Sequence, residues 1–437
     1  MEKTLVCLLL ILSLFSCKSI NNKENPNIVL IMADDMGYEC LSCNGSISYN
    51  TPIIDDLAAS GIRFANCYAQ PLCTPSRVKI MTGKYNYRNY EYFGYLDKDE
   101  LTFGSLMKEA GYATCIAGKW QLNGLSYNLP GFTDKSRPYL FGFDEYCLWQ
   151  LTVPGNKGSR YADPVIEQNG EMLERGIDEY GPDIFTDFVI DFINRKKGQP
   201  FFIYYPMVLV HNPFVPTPDS REWDEPQRRL EQDISYFGDM VSYTDKLIGR
   251  IINSLKENEV FDNTILIFTG DNGTNRGITT ETNYGTVHGF KGNTTDAGTR
   301  VPLIISWPAV LDKPFVYEGL VDFSDFMPTF ADLVNVDITT DGRSLLPLFT
   351  GDRFTEKDAV FMHYDPRWGE NVNKFRNQFA RTKEYKLYQD GKFYYVPGDV
   401  LELSPLPDSI LTEEQKATKN HLQEFIDKAP DWKVSIK

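Results

Sequence analysis

The sequence predicts an α/β fold: a mostly parallel central sheet flanked by helices, then a small C-terminal antiparallel sheet with one helix. Three observations carry this. The runs Asn27 to Met32, Phe201 to Tyr205 and Thr264 to Phe268 are continuously apolar and rich in β-branched and aromatic residues, as strands buried on both faces are. Segments of helical periodicity separate them. Beyond Asp352 the character changes to short aromatic stretches that read as antiparallel strands.

At the N-terminus Lys3 precedes an apolar run from Leu5 to Phe15. Spanning a bilayer takes roughly 20 residues, so this run reads as the apolar part of a secretory signal. It ends Leu14-Phe15-Ser16-Cys17, which resembles a bacterial lipobox. On that reading residues 1–16 are removed, Cys17 carries lipid, and 17–26 form a polar tether. An ordinary signal peptide cut slightly further on is the other reading. The expected location is the periplasm or cell surface, with membrane contact only through a lipid anchor.

Thr51-Pro52 opens a helix that runs through Leu57 to Ser60 and ends at Gly61. Another spans Phe103 to about Ala110 and is closed by Gly111. Tyr112 to Ile116 then makes a short strand delivering Gly118, Lys119, Trp120 and Gln121. Residues 123–180 read as loops, a long irregular stretch of the kind that carries binding. Ile184 to Arg195 is an amphipathic helix. A long helix is expected from about Glu225 to Asn258, where Ile234, Phe237, Val241, Leu247, Ile251 and Leu255 recur at helical spacing. Leu303 to Ser306 is a strand and Asp325 to Leu333 a helix, and Leu348 to Gly351 closes a large domain, 27–352. In 353–437, strands are expected at Phe361 to Tyr364, Phe379 to Arg381, Tyr385 to Tyr388 and Phe393 to Val396, with a helix near Glu413 to Asp427.

The net charge of −16 disfavours nucleic acid or an anionic membrane as a partner. An anionic substrate would need a local basic cluster working against the overall field. Of eight cysteines, Cys7 leaves with the signal, while Cys17 and Cys73 have assignments of their own. Cys40, Cys43, Cys67, Cys115 and Cys147 remain; being odd in number, they form no complete disulfide framework. Cys40 and Cys43 have a metal-like spacing but no second ligand pair.

Polar groups gather where the buried strands end. Asp34-Asp35 follows the first, His211 lies just beyond the second, and Asp271-Asn272 follows the third. Open α/β sheets place ligands at this carboxyl edge. Asp34, Asp35, Asp271 and Asn272 offer hard oxygen ligands, suited to Ca²⁺ or Mg²⁺ rather than zinc. In Pro71 to Gly83, PLCTPSRVKIMTG, Thr74 followed by Pro75 reads as a helix start and Gly83 as its stop. Cys73 then sits at a helix mouth, where the dipole favours negative charge. Arg77 adds a planar fork of donors suited to a tetrahedral anion. Lys119, Lys291, His211 and His288 complete the basic set.

These motifs are CTPSR followed by TGK, ADD at Ala33 to Asp35, AGKW at Ala117 to Trp120, the histidine of VHNPFVP, TGDNG, and Lys291 nine residues before RVPLII. Together they resemble a type I formylglycine sulfatase of the alkaline-phosphatase-like superfamily, over Asn27 to about Leu348. The resemblance implies an alkaline-phosphatase-like large domain. It implies oxidation of Cys73 to formylglycine (3-oxoalanine) by a formylglycine-generating or anaerobic sulfatase-maturating enzyme. It implies a calcium ion, or magnesium, held by Asp34, Asp35, Asp271, Asn272 and residue 73. The hydrated aldehyde would attack sulfur in line, the alcohol would leave, and the second hydroxyl would then expel sulfate and restore the aldehyde. Arg77 and Lys119 would neutralise charge, and His211 and Lys291 would contact sulfate and assist the leaving oxygen.

One departure matters: the family usually reads GKWH, and this chain has Gln121 at the last position. Glutamine hydrogen-bonds but does not shuttle a proton near neutral pH. Either His288 supplies the transfer, or turnover relies on the metal and Asp271. A second departure puts Asp296 where glutamate is commoner, and it reads as loop support. The expected function is hydrolysis of a sulfate ester on a sulfated carbohydrate. The aromatics around Trp149 and from Tyr364 to Trp368 either stack on sugar rings or pack a domain interface. A phosphomonoester or phosphonate hydrolase of the same superfamily is a second reading. A catalytically dead lipoprotein binding sulfated glycans, motivated by Gln121, is a third.

Overall fold

The computed structural model describes residues 25–153, 158–311, 313–367 and 376–432; the expected signal, Cys17, most of the tether and Trp368 lie outside them. The strands of the large unit are β1 (Asn27–Ala33), β2 (Ile62–Tyr68), β3 (Ala113–Lys119), β4 (Glu145–Trp149), β5 (Ile166–Gln168), β6 (Glu171–Met172), β7 (Phe201–Pro206), β8 (Thr264–Gly270), β9 (Thr279–Thr282), β10 (Gly285–His288), β11 (Arg300–Val301), β12 (Leu303–Ser306) and β13 (Phe315–Asp322). Among the described residues the main sheet runs β11-β2-β12-β8-β1-β7-β3-β4-β5-β6, with β13 alongside β2, and β9 and β10 form a separate hairpin. Its centre, β8-β1-β7-β3-β4, is parallel. β12 turns antiparallel against β8.

The strand period of two divides each central strand between two cores. Val29 and Ile31 of β1 face a cluster with Phe188, Val189 and Phe192 of the helix Gly181–Lys196 and Val241, Leu247 and Ile251 of Tyr236–Glu257. Ile28, Leu30 and Met32 face the other side, with Val78 and Met81 of the helix Cys73–Thr82 and with the helices Phe103–Glu109 and Phe326–Leu333. Apolar residues on both faces explain the unbroken hydrophobic runs.

Several elements depart from the sequence expectation. The long helix begins at Tyr236, preceded by short turns at Arg221–Asp224 and Pro226–Arg228. Ile234 is about half exposed, because the Asp233 carboxylate accepts from the Ser235 N–H and closes a local turn just before the helix. The strand expected at Tyr112 to Ile116 continues to Lys119. The 123–180 stretch holds β4, β5 and β6, which add strands to the sheet edge. Thr74 is no helix cap: the helix starts at Cys73 after Leu72, and the Thr74 hydroxyl instead accepts from the Gly94 N–H at 3.1 Å. Gly83 does stop that helix, in the left-handed conformation.

The C-terminal unit is a four-stranded antiparallel meander, β14 (Val360–Tyr364), β15 (Asn377–Arg381), β16 (Tyr385–Tyr388) and β17 (Phe393–Tyr395). The helix Glu413–Asp427, started by a Thr412–Gln415 capping box, packs Leu422 and Ile426 on one face. The other face sets Met362, Tyr364, Phe379 and Tyr388 against Leu72, Cys73 and Phe93. Tyr364 is thus buried packing, one of the two readings given to its aromatic run. Cys40, Cys43, Cys67, Cys73, Cys115 and Cys147 are all free thiols.

Candidate active site

The carboxyl ends of β1, β8 and β3 and the mouth of the helix Cys73–Thr82 converge. β1 and β8 pair in register down to Ala33 and Gly270, so Asp34-Asp35 and Asp271-Asn272 emerge side by side. The Asp35 N–H donates to Asp271 Oδ1 at 3.0 Å, with Asp35 held at φ 60°. Asn272 donates its amide to Asp35 Oδ1 at 2.9 Å, which turns its Oδ1 inward, buried and without a partner. β3 delivers Lys119, whose ammonium bridges both Asp34 oxygens at 2.9 and 2.7 Å. Arg77 spans from the Lys119 carbonyl (2.7 Å) to Asp271 Oδ2 (2.9 Å). The loop after β10 brings Lys291 to Asp35 at 2.7 Å. Cys73 is 2% exposed and lies within charge reach of Arg77 and Lys291.

Electrostatics follow from the packing. Burial pushes the Asp34 carboxyl up, but Lys119, His211 and Arg77 together overcome it and hold the group well below the usual carboxylate range. Asp271 goes the other way: burial and then the Asp34 charge raise it to about 7, despite Arg77. Burial lowers Lys291's affinity for its proton, and Asp35 more than restores it. His211 is lowered to about 3, first by burial, with Arg160 adding to the effect against the pull of Asp35. Its Nδ1 lies 2.5 Å from the Asn212 carbonyl, so Nδ1 carries the proton and Nε2 presents a lone pair, 3.8 Å from Asp35 Oδ2.

The donor set fits a hard cation. Three buried carboxylates crowd together, and the Asn272 amide oxygen beside them is buried with no donor of its own. One ligand atom each from Asp34, Asp35 and His211 lies within 4.8 Å of the others, so the buried cluster is compatible with a metal ion. His211, expected to contact sulfate and assist the leaving oxygen, therefore also stands close enough to share an ion with Asp34 and Asp35.

The structure does not bring His288 to this cluster. It sits exposed on the β9–β10 hairpin, its Nδ1 2.9 Å from the Thr279 hydroxyl. Gln121 lines a cavity of about 390 Å³ together with Lys119, His211 and Trp149, in left-handed backbone (φ 56°) with its Oε1 buried and unpartnered. Asp296 pairs with Arg381 of β15, which supports the loop that carries Lys291. Two participants were missed from the sequence. Arg160, in the same cavity wall, has Nη1 3.5 Å from Asp34 Oδ2. It belongs to no motif, and only its place in the irregular 123–180 stretch pointed that way. Thr274 accepts from the Gly37 N–H at 3.0 Å and donates to buried Glu39, tying the loops after β1 and β8 together behind the carboxylates.

Comparisons with known proteins agree with this geometry. The family model described as Sulfatase matches residues 26–336, and one described as N-sulphoglucosamine sulphohydrolase, C-terminal, matches 290–423. The dog N-acetylgalactosamine-6-sulfatase is 28% identical over 88% of this chain and 77% of its own length. An N-acetylgalactosamine-6-O-sulfatase of Bacteroides thetaiotaomicron is 29% identical over 78% and 79%. A solved complex with the substrate D-glucosamine-2-N,6-O-disulfate superposes with TM-score 0.73 at 25% identity, covering 94% of this chain and all of that one. The chain belongs to the sulfatase family of the alkaline-phosphatase-like superfamily and is a sulfuric ester hydrolase.

Proposed function

We propose that this chain hydrolyses a sulfate ester on a sulfated carbohydrate, through a formylglycine made from Cys73 and a calcium ion. The observation that carries the reading is the convergence of the Asp34–Asp35 and Asp271–Asn272 pairs, from two different strands, on the helix mouth that bears Cys73. Asp34, Asp35, Asp271 and the free Oδ1 of Asn272 would hold the calcium. That ion supplies positive charge that polarises a sulfate oxygen and favours the ionised form of a neighbouring hydroxyl. The aldehyde at position 73, installed by a formylglycine-generating or anaerobic maturating enzyme, supplies the nucleophilic hydroxyl once hydrated.

The chain's own residues do the rest. Arg77 is locked by the Lys119 carbonyl and Asp271, so its charge meets a tetrahedral anion without reorganising. Lys119 and Lys291 are hydrogen-bonded to Asp34 and Asp35 and add to the same anion site. His211, unprotonated at Nε2, accepts a proton there from the attacking hydroxyl, and the Lys291 ammonium, held by Asp35, is the proton donor for the departing oxygen. Gln121 holds a neutral amide at the cavity wall and orients by hydrogen bonding.

Two N-acetylgalactosamine-6-sulfatases and a structure bound to a glucosamine disulfate stand among the relatives, which supports a saccharide substrate. The N-terminal run and Cys17 support export and lipid anchoring at the periplasmic or outer surface, and they lie outside the described residues. The test is mass spectrometry of the tryptic peptide around residue 73 from the native host, with paired assays on sulfate and phosphate esters of one saccharide. An aldehyde and a preference for sulfate are expected. An unmodified thiol without turnover would instead indicate a binding protein, and a preference for phosphate a phosphohydrolase.

A further inference from the structure

We propose that Arg160 is a substrate-binding residue that grips the ester's sulfate group from the cavity side, alongside Lys119. The proposal deepens the sulfatase reading and rests on it. Arg160 is 8% exposed, and its guanidinium lies over the Trp149 ring at 4.0 Å. Trp149 is fixed in turn by its indole N–H, which donates to the Gly158 carbonyl at 3.0 Å. Nη1 of Arg160 is fully buried and makes no hydrogen bond. Its nearest anion, Asp34 Oδ2 at 3.5 Å, already takes a 2.7 Å bond from Lys119. A buried guanidinium donor left unmade is costly, so its position calls for an acceptor supplied from the cavity.

The spacing suits one anion. Lys119 Nζ and Arg160 Nη1 both approach the same Asp34 oxygen, which puts them no more than about 6 Å apart, a span that one tetrahedral oxyanion bridges with ordinary N–H···O contacts. The backbone is held for the purpose. The Tyr161 hydroxyl reaches the carbonyls of Val208, at 3.1 Å, and His211, tying this turn to the His211 loop. The Arg160 carbonyl packs on Gly181, where a Cβ would come within 2.2 Å of it. Gln121, in the same cavity wall, is neutral where the family pattern usually carries an imidazole. Arg160 places a permanent charge in that wall.

The test uses the full chain with Cys73→Ala, loaded with calcium, so that binding is read without turnover. Calorimetric titration with inorganic sulfate and with a monosulfated saccharide should show binding of both. Adding Arg160→Gln should weaken both by about 10-fold or more, the size of a lost charge-assisted contact. Parent-like sulfate binding in that double variant overturns the assignment. So does loss confined to a disulfated saccharide, which would make Arg160 the reader of a second anionic substituent. If the Cys73→Ala protein itself binds neither ligand, the anion site read from this geometry is absent, the proposed sulfate-binding roles of Lys119 and Arg77 fall, and this proposal falls with them. Should Arg160→Gln not fold, Arg160→Lys keeps the charge beside Asp34 and discards the fork; several-fold weaker sulfate binding is expected, and unchanged binding overturns the proposal.

Discussion

At the scale of single residues, the proposed mechanism separates groups that hold charge from one that accepts a proton. Arg77, Lys119 and Lys291 are each fastened to a carboxylate or carbonyl, whereas His211 is kept neutral by burial with its lone pair turned toward Asp35. His211→Ala should therefore cost about 10²-fold or more in kcat on a sugar sulfate, the usual size of a lost acid–base contribution. It should cost about as much on p-nitrophenyl sulfate, because a base acts on the attacking oxygen whatever the leaving group. A loss confined to the sugar sulfate would recast His211 as the proton donor to the leaving oxygen. Gln121 gives a complementary prediction. Its backbone at φ 56° is a conformation histidine tolerates better than most side chains, so Gln121→His should fold. It should add a titration limb near the imidazole pKa to the pH dependence of kcat/KM, where the parent has none from this position.

At the scale of elements, the site is an outcome of strand register, and a backbone change should damage it as surely as a side-chain change. Gly118, one residue before Lys119, has φ 102°, and a Cβ there would come within 2.2 Å of the Pro206 carbonyl oxygen on β7. Gly118→Ala should cost on the order of 3 kcal/mol and pull Lys119 off Asp34. Gly111→Ala, also at positive φ (88°) but facing open space, should cost only roughly 1–2 kcal/mol. Thermal melts of the two variants check the difference. The same register explains what the sequence disclosed. β1, β7 and β8 are buried on both faces, so their apolar runs are unbroken and the polar residues that end them stand out. β2 and β13 escaped notice because β2 mixes in Arg63 and Asn66, both half-exposed, and β13 begins with exposed Phe315 and Val316. β4 escaped because five residues inside a loop-rich stretch give too short a pattern to read. Arg160 was hidden for a related reason. Nothing in its neighbours along the chain marks it, and only the packing of its turn on the His211 loop brings it to Asp34.

At the scale of the molecule, two arrangements decide whether the site stands. The first is charge. Without a cation, Asp271 is pushed up to about 7 beside ionised Asp34, so between roughly pH 4 and 7 the folded chain holds a proton there that the unfolded chain has lost. The folded state binding more protons means stability falls as pH rises through that window. Chelator-treated protein should accordingly melt at a lower temperature at pH 8 than at pH 5, and calcium should raise the pH 8 value and flatten the trend. A pH-independent melt after chelation would contradict this account of the cluster. The second arrangement is the small sheet that roofs Cys73. Its β14–β16 face covers Cys73, and Arg381 of β15 pairs with Asp296 while the Lys386 ammonium reaches the Thr294 carbonyl and Tyr388 meets the Thr294 hydroxyl at 2.9 Å. These contacts grip the loop 290–299, which carries Lys291 into the site. Burial raises the Asp296 carboxyl, and Arg381 with Lys386 outweighs it and keeps the group ionised. Arg381→Ala removes the main partner of that buried charge, a change that costs about 3–5 kcal/mol when a buried pair is broken from one side. Arg381→Ala with Asp296→Ala should recover most of the melting temperature, because no lone charge is left behind. It should not recover KM in full, since the loop then keeps only its Lys386 and Tyr388 contacts and Lys291 is held less firmly at the site. A double variant with both melting temperature and KM restored would show that the small sheet only covers the site and does not position it.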